Sequence, residues 1–336
     1  MRAAVAGLLL CVVAGGLCQA GPVSDLADGR VGAIEFASRT PTGPTEMMAG
    51  GGRSTTIAGQ LTLPNASPAP NASPAPVPAM IIMHGSGGIL PGREQDWAAR
   101  LNELGVATFV VDSFRPRGFS STGDDQSRLP LAASVTDALT ALKLLASHPG
   151  IAKDRIGIIG YSKGGQIALY TTLEPFRRAV IDDDRRFALH IAFYSSCSIP
   201  YKAEEVSPAP VILLLGGDDD YTPAVHCGRY VDFLRSKGAP VDMFIFAGAH
   251  HGFDLPTPVR YLPRAQTARD CGLDIALDPV EARRWDTGTI VPPGDIGVYL
   301  RSCMRRGASY GGNAAARAEA DGIVEKAVQT FLFDRK

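Results

Sequence analysis

Two hydrophobic periods alternate along this chain, and their alternation organises most of its length. Short, mainly apolar runs at 79–83, 106–111, 155–159, 187–194, 211–215 and 241–246 read as strands. Two earlier runs, Val31 to Phe36 and Thr55 to Leu63, read as strands as well, the second with partial alternation. Helical spacing takes over between them. Val135, Ala138, Leu139, Leu142 and Leu145 share one face of a helix from Leu129 to Ser147, which Pro149 and Gly150 stop. Further helices are expected from Glu94 to Leu104, Gln166 to Tyr170, about Pro223 to Lys237, and Ala314 to Phe331, the last capped by Asn313. Strands alternating with helices predict an α/β fold with a mainly parallel central sheet and helices on both faces.

Two stretches break this pattern. Residues 65–76 hold the tandem repeat Asn-Ala-Ser-Pro-Ala-Pro, whose prolines exclude a strand ladder, so it is expected to be an extended insertion within the domain. Residues 258–308 lack clear periodicity and hold Cys271 and Cys303, and are expected to form an irregular excursion clipped by a disulfide. The remainder, from 21 to 336, reads as a single domain. The first twenty residues read as an address: Arg2 precedes an uncharged apolar run from Ala3 to Leu17, ending in Cys18-Gln19-Ala20. Cleavage is expected after Ala20. The alternative, an uncleaved anchor, is disfavoured because the run falls short of the ~20 residues of a spanning helix.

Export changes how the cysteines read. Without Cys11 and Cys18, four remain: Cys197, Cys227, Cys271 and Cys303. Of the possible pairings, Cys197 with Cys227 and Cys271 with Cys303 is expected, each bridge closing a loop of about thirty residues. With 336 residues, 45% of them apolar, and a net charge of −1, the chain has ample core and no basic footprint for nucleic acid or an anionic membrane. A small-molecule partner is expected, without nucleic acid and without stable membrane association once the leader is removed.

The chemistry gathers at the carboxyl ends of the strands. Gly160-Tyr161-Ser162-Lys163-Gly164 joins a strand to a helix through a glycine-flanked serine, the context of a nucleophile elbow. A serine hydroxyl needs a histidine to take its proton and a carboxylate to fix that histidine's tautomer. Asp218, Asp219 and Asp220 follow the strand ending at Leu215, and His250 and His251 follow the one ending at Phe246. Serine, acid and base thus come in the chain order this fold uses. Donors for an oxyanion are expected from the Lys163 N–H and from the loop His84-Gly85-Ser86-Gly87-Gly88, through Ser86 or Gly87. His84 is expected to orient that loop. Arg115 and Arg117 follow another strand end and are candidates for holding a substrate carboxylate, with pairing to Asp112 or to the aspartates at 124–125 as the alternative. The Lys163 side chain is a further candidate for an anion. No spacing of histidines and cysteines makes a metal site.

His84-Gly85-Ser86-Gly87-Gly88, Asp112-Ser113-Phe114-Arg115-Pro116-Arg117-Gly118, the Ser162 elbow, Asp219-Asp220-Tyr221-Thr222-Pro223 and Gly248-Ala249-His250-His251-Gly252-Phe253 together resemble the dienelactone hydrolase family of α/β-hydrolases, over roughly residues 55–335. The resemblance implies an α/β-hydrolase fold, hydrolysis of esters through an acyl-enzyme, and no cofactor. It selects Asp219, four residues before a proline, as the acid, and His251, directly before Gly-Phe, as the base. It also implies a disulfide at Cys197 and Cys227, as in exported members. Dienelactone hydrolases proper carry cysteine as the nucleophile. Ser162 in its place points to general ester hydrolysis and away from the dienelactone.

Overall fold

The computed structural model describes residues 21–64 and 75–334, so the expected leader at 1–20 and most of the 65–76 repeat lie outside the described residues. The chain runs through β1 (Gly32–Thr40), α1 (Pro44–Met48), β2 (Arg53–Thr62), β3 (Val77–Met83), α2 (Glu94–Glu103), β4 (Ala107–Asp112), α3 (Leu131–Leu145) and β5 (Ile151–Tyr161). It continues through α4 (Lys163–Tyr170), α5 (Glu174–Arg178), β6 (Leu189–Phe193), β7 (Tyr201–Lys202), β8 (Val211–Gly216), α6 (Val225–Ser236) and β9 (Val241–Phe246). An 8-stranded sheet has the order β1-β2-β4-β3-β5-β6-β8-β9. Its first two pairings, β1 with β2 and β2 with β4, are antiparallel, and the other five are parallel.

The strand sequences explain these positions. β6 and β8 are buried at every residue because helices cover both faces, whereas β1, at the edge, alternates buried and exposed positions. Alternate residues of one strand feed two cores. Ile81 and Met83 join the layer of α3, α4 and α6, while Met80 and Ile82 join the layer of α2 and of α8 (Ala314–Val328). Asn313 caps α8 as expected, its side chain accepting from the Ala316 N–H at 3.1 Å.

Residues 258–308 are not irregular. They hold β10 (Arg260–Thr267), β11 (Leu273–Leu277), β12 (Val280–Arg284), β13 (Ile290–Val291), α7 (Ile296–Cys303) and β14 (Arg305–Tyr310). β10 and β14 form a ribbon, and β13-β12-β11-β7 form a small 4-stranded sheet. Periodicity fails there because the strands are short and only lightly buried, so neither period has room to repeat. Both expected disulfides are formed, Cys197–Cys227 and Cys271–Cys303, each with its Cα atoms 4.9 Å apart. Among the described residues no helix is long and apolar enough to cross a membrane.

Candidate active site

Ser162 sits between β5 and α4 with φ 56° and ψ −113°, a left-handed backbone that a non-glycine residue adopts only when its surroundings enforce it. The enforcement is visible in its glycines. A Cβ on Gly160 would stand 2.0 Å from the Gly164 carbonyl oxygen, and one on Gly164 would stand 2.1 Å from that of Met83. Strand and helix therefore pass at a distance that only glycine allows. The Ser162 N–H donates to the Phe193 carbonyl at 2.9 Å, which ties the turn to β6.

Three side chains named from the sequence meet here. His251 Nε2 is 2.8 Å from Ser162 Oγ, and His251 Nδ1 is 2.8 Å from Asp219 Oδ2. A carboxylate only accepts, so Nδ1 carries the proton and Nε2 is left to accept from the serine hydroxyl. Asp219 and His251 are both buried. Asp219 Oδ1 accepts from the N–H groups of Tyr221 and Thr222, both at 2.8 Å, and Thr222 Oγ1 lies 2.9 Å from Oδ2. These contacts fix the plane of the carboxylate. Of its neighbours, Asp218 is exposed, and Asp220 is engaged with the N–H and hydroxyl of Ser309 on β14. His250 is half-buried and lies outside this chain of hydrogen bonds.

The glycine loop after β3 lies against the serine, since a Cβ on Gly85 would stand 3.3 Å from Ser162 Cβ. His84 holds the loop in the expected manner. Its Nε2 accepts from the Ser113 N–H at 3.2 Å, which leaves Nδ1–H to donate to the Gly85 carbonyl at 2.8 Å. Burial pushes the pKa of this imidazole below the usual range, as befits a neutral clamp. Ser86 is strapped from outside, its carbonyl accepting from the Thr122 N–H and its hydroxyl bonding Gln126 at 3.0 Å. The Lys163 N–H opens α4 and has no intrahelical acceptor.

The charged candidates turn out differently. Arg117 does not face the site: it is buried and bonds both oxygens of Asp137, at 2.7 and 3.0 Å, together with the Ser113 carbonyl and the Thr40 hydroxyl. Arg115 is 71% exposed and only loosely paired with Asp112 at 3.8 Å. Neither lines the cavity at Ser162. Their expected role in substrate binding is therefore replaced by a buried pair for Arg117 and a solvated position for Arg115. The reason is the turn after β4, which directs Arg117 back beneath β1, beyond the reach of a reading based on strand ends. Lys163 does border the cavity, but its Nζ is held by the carbonyls of Leu129 and Gln126, at 2.8 and 3.4 Å. Burial lowers its pKa to about 8, with Asp125 opposing the shift.

Several neighbours of the site were not named from the sequence. Thr222 touches Asp219, the Tyr194 carbonyl and His251 Nδ1 at once, and an Asp followed three residues later by Thr was its available signal. Beneath His251, Asp254 accepts from Tyr194 Oη at 2.7 Å and Trp97 Nε1 at 3.0 Å, and burial raises its pKa. Arg93 and Glu94 form a fully buried pair at 2.6 Å, with the guanidinium over the Tyr161 ring. Two adjacent charged residues at a helix start carry no sequence mark of such burial.

A model of the dienelactone hydrolase family matches residues 66–269. The chain is 28% identical over 195 residues to a putative carboxymethylenebutenolidase of Methylorubrum extorquens, covering 52% of this chain and 62% of that protein. It is 25% identical over 142 residues to an uncharacterized peptidase, YtmA, of Bacillus subtilis, covering 35% of this chain and 55% of that protein. The matches thus span little more than half the length of these curated relatives. Among solved structures, a dienelactone hydrolase-like promiscuous phosphotriesterase, P91, from metagenomic libraries aligns with a TM-score of 0.50 at 14% identity, over 89% of this chain and 99% of that one. A protein named m3DLH aligns with a TM-score of 0.52 at 15% identity, over 89% and 98%. Both share the sheet-and-helix fold described above. Because the family match covers more than half of its length, the chain belongs to the dienelactone hydrolase family.

Proposed function

We propose that this protein is a serine hydrolase that cleaves carboxylic esters of small molecules through an acyl-enzyme intermediate. The observation that carries the proposal is the continuous relay from Ser162 Oγ through His251 to Asp219, with both links at 2.8 Å. Ser162 attacks the ester carbonyl as its proton passes to His251 Nε2. Asp219 keeps the imidazole in the tautomer this requires and stabilises the imidazolium that forms. The N–H groups of Lys163 and Ser86 donate to the oxyanion of the tetrahedral intermediate. His251 then protonates the departing alcohol, and a water activated by the same imidazole releases the acid. Every step is a proton transfer or acyl transfer between groups of the chain, substrate and water, so no cofactor enters.

The names of the two curated relatives support acyl transfer, one through a lactone and the other through an amide. Amide hydrolysis is accordingly the second reading. We also propose that the chain is exported as one hydrolase domain from residue 21 onward. Its two disulfides are at home in an oxidising compartment, and residues 1–20 have the composition of a leader.

The test is labelling of purified protein with a fluorophosphonate, located by mass spectrometry, beside hydrolysis of p-nitrophenyl acetate and a peptide p-nitroanilide. Expected are labelling at Ser162, ester turnover that Ser162→Ala abolishes, and a loss of about 10⁴-fold in kcat on Asp219→Asn. Intact turnover in Ser162→Ala would overturn the proposal.

A further inference from the structure

Residues 273–304 form a roof over Ser162, and its inner side is apolar. The cavity between roof and site has a volume of about 1120 Å³, above the 300–1,000 Å³ usual for a small-molecule pocket. One end is polar, bordered by Ser162, Ser86, Gln126, Gln166 and Thr222. The other end is built by the roof, with Ile275 of β11, Val280 of β12, Val291 of β13, Ile296 and Leu300 of α7, and Met304 just after it. Ile296 and Leu300 stand one turn apart, so they share the side of the helix that faces the cavity. Leu129, Leu131 and Ile199 line it as well.

The charges on this cavity are already engaged or solvated. Lys163 is held by two carbonyls, Asp125 caps Ser127 at 2.6 Å, Glu281 pairs with Arg283 at 2.6 Å, and Arg301 is exposed. The wall that the roof presents is therefore mainly apolar, with Arg301 a solvated cation on it. The roof is also held in place. β11 adds to β7 in parallel, Lys202 pairs with Asp274 at 2.7 Å, Tyr299 Oη bonds the Gly272 backbone, and Cys271–Cys303 closes its base. Cys197–Cys227 anchors the stretch just before β7 on which the roof docks.

We infer that residues 273–304 are the specificity element, and that the preferred substrates are esters with a large apolar group, a medium or long alkyl chain or a ring system of similar bulk. The apolar group lies under the roof while the ester carbonyl sits at Ser162. This rests on the ester hydrolase reading above. Each methylene taken from water into the chamber raises kcat/KM by about two- to fourfold until the chamber is full.

The experiment compares p-nitrophenyl esters from acetate to dodecanoate with the full, disulfide-bonded protein. Expected is a rise in kcat/KM of at least about 100-fold from acetate to decanoate. In Leu300→Asp the decanoate-to-acetate ratio falls at least about tenfold, mainly through KM, because a carboxylate now faces the chain. Leu300→Met keeps the ratio. Binding of the uncharged probe N-phenyl-1-naphthylamine, read by its fluorescence, reports on the chamber without chemistry. Wild type and Ser162→Ala bind it alike, and Leu300→Asp binds at least tenfold more weakly, roughly the effect expected for a charge set in an apolar site. Acetate cleaved as well as decanoate, an equal loss on both esters in Leu300→Asp, or no probe binding each overturns the inference. If the ester hydrolase reading alone fails, hydrolysis and Ser162 labelling are absent while probe binding and its loss in Leu300→Asp persist.

Discussion

Replacing Gly160 by alanine tests the turn that carries Ser162 at the point where strand and helix come closest. The added Cβ would lie 2.0 Å from the Gly164 carbonyl oxygen and 2.3 Å from its carbon, both backbone atoms that no rotamer change can move. Restoring an ordinary separation of roughly 3.5 Å requires β5 and α4 to part by about 1.5 Å. Ser162 stands at this junction, so its Oγ leaves the 2.8 Å contact with His251. A misplacement of about 1 Å can cost 10²-fold in rate, and a fall in kcat of at least about that size is expected, with a smaller change in KM. The same overpacking should cost about 3 kcal/mol of stability, or about 4–5 °C in Tm. Gly322→Ala is the control. It lies within α8, exposed, with nothing near its Cβ position, and should stabilise by about 0.5–1 kcal/mol without affecting activity. Ester turnover with thermal denaturation of both variants decides the matter. A Gly160→Ala protein with kcat within threefold of wild type and an unchanged Tm would refute the claim that this close approach positions the serine.

Three other perturbations address the surroundings of the site. Arg117→Ala leaves Asp137 buried without its cation and should cost about 3–5 kcal/mol in urea denaturation, whereas Arg115→Ala should stay within about 0.5 kcal/mol. A raised KM with unchanged stability in Arg117→Ala would instead restore the substrate-binding role. Burial holds Lys163 near a pKa of about 8, against 10.5 when solvated, so between these values the folded protein binds fewer protons than the unfolded chain. Stability linked to Lys163 should therefore rise with pH from 8 to 10.5, by up to about 3 kcal/mol. Lys163→Met should lack that slope, and parallel urea midpoints for the two proteins across this window would contradict the argument. Replacing Cys197 and Cys227 by serine removes a bridge across 30 residues and should cost about 3–4 kcal/mol by chain entropy. Addition of a reductant to the wild type, which opens Cys271–Cys303 as well, should lower Tm at least as far, and a Tm insensitive to both would count against a structural bridge.

The central sheet was legible because its signals are local. A buried parallel strand must be an apolar run whichever strand lies beside it, so 79–83 and 211–215 announce β3 and β8 from sequence alone. The elbow is legible for a related reason, since Gly160 answers a steric demand set by Gly164 four residues on, although Gly164 itself is required by the distant Met83 carbonyl. The roof was illegible. Its strands are brief, and β11 finds a partner in β7, about seventy residues earlier in the chain, which no periodicity reports.

The chain by itself determined the α/β architecture, the order of serine, acid and base loops, and the pairing of the cysteines. Each depends on pattern, order or loop length along the chain. Tertiary structure alone decided that Arg117 belongs to Asp137, that Lys163 is tied to two carbonyls, and that an apolar roof stands over Ser162. In each of these a side chain's role is set by which distant groups bury it or bond it. Such partners come from segments that only the folding of the sheet and the docking of the roof bring together.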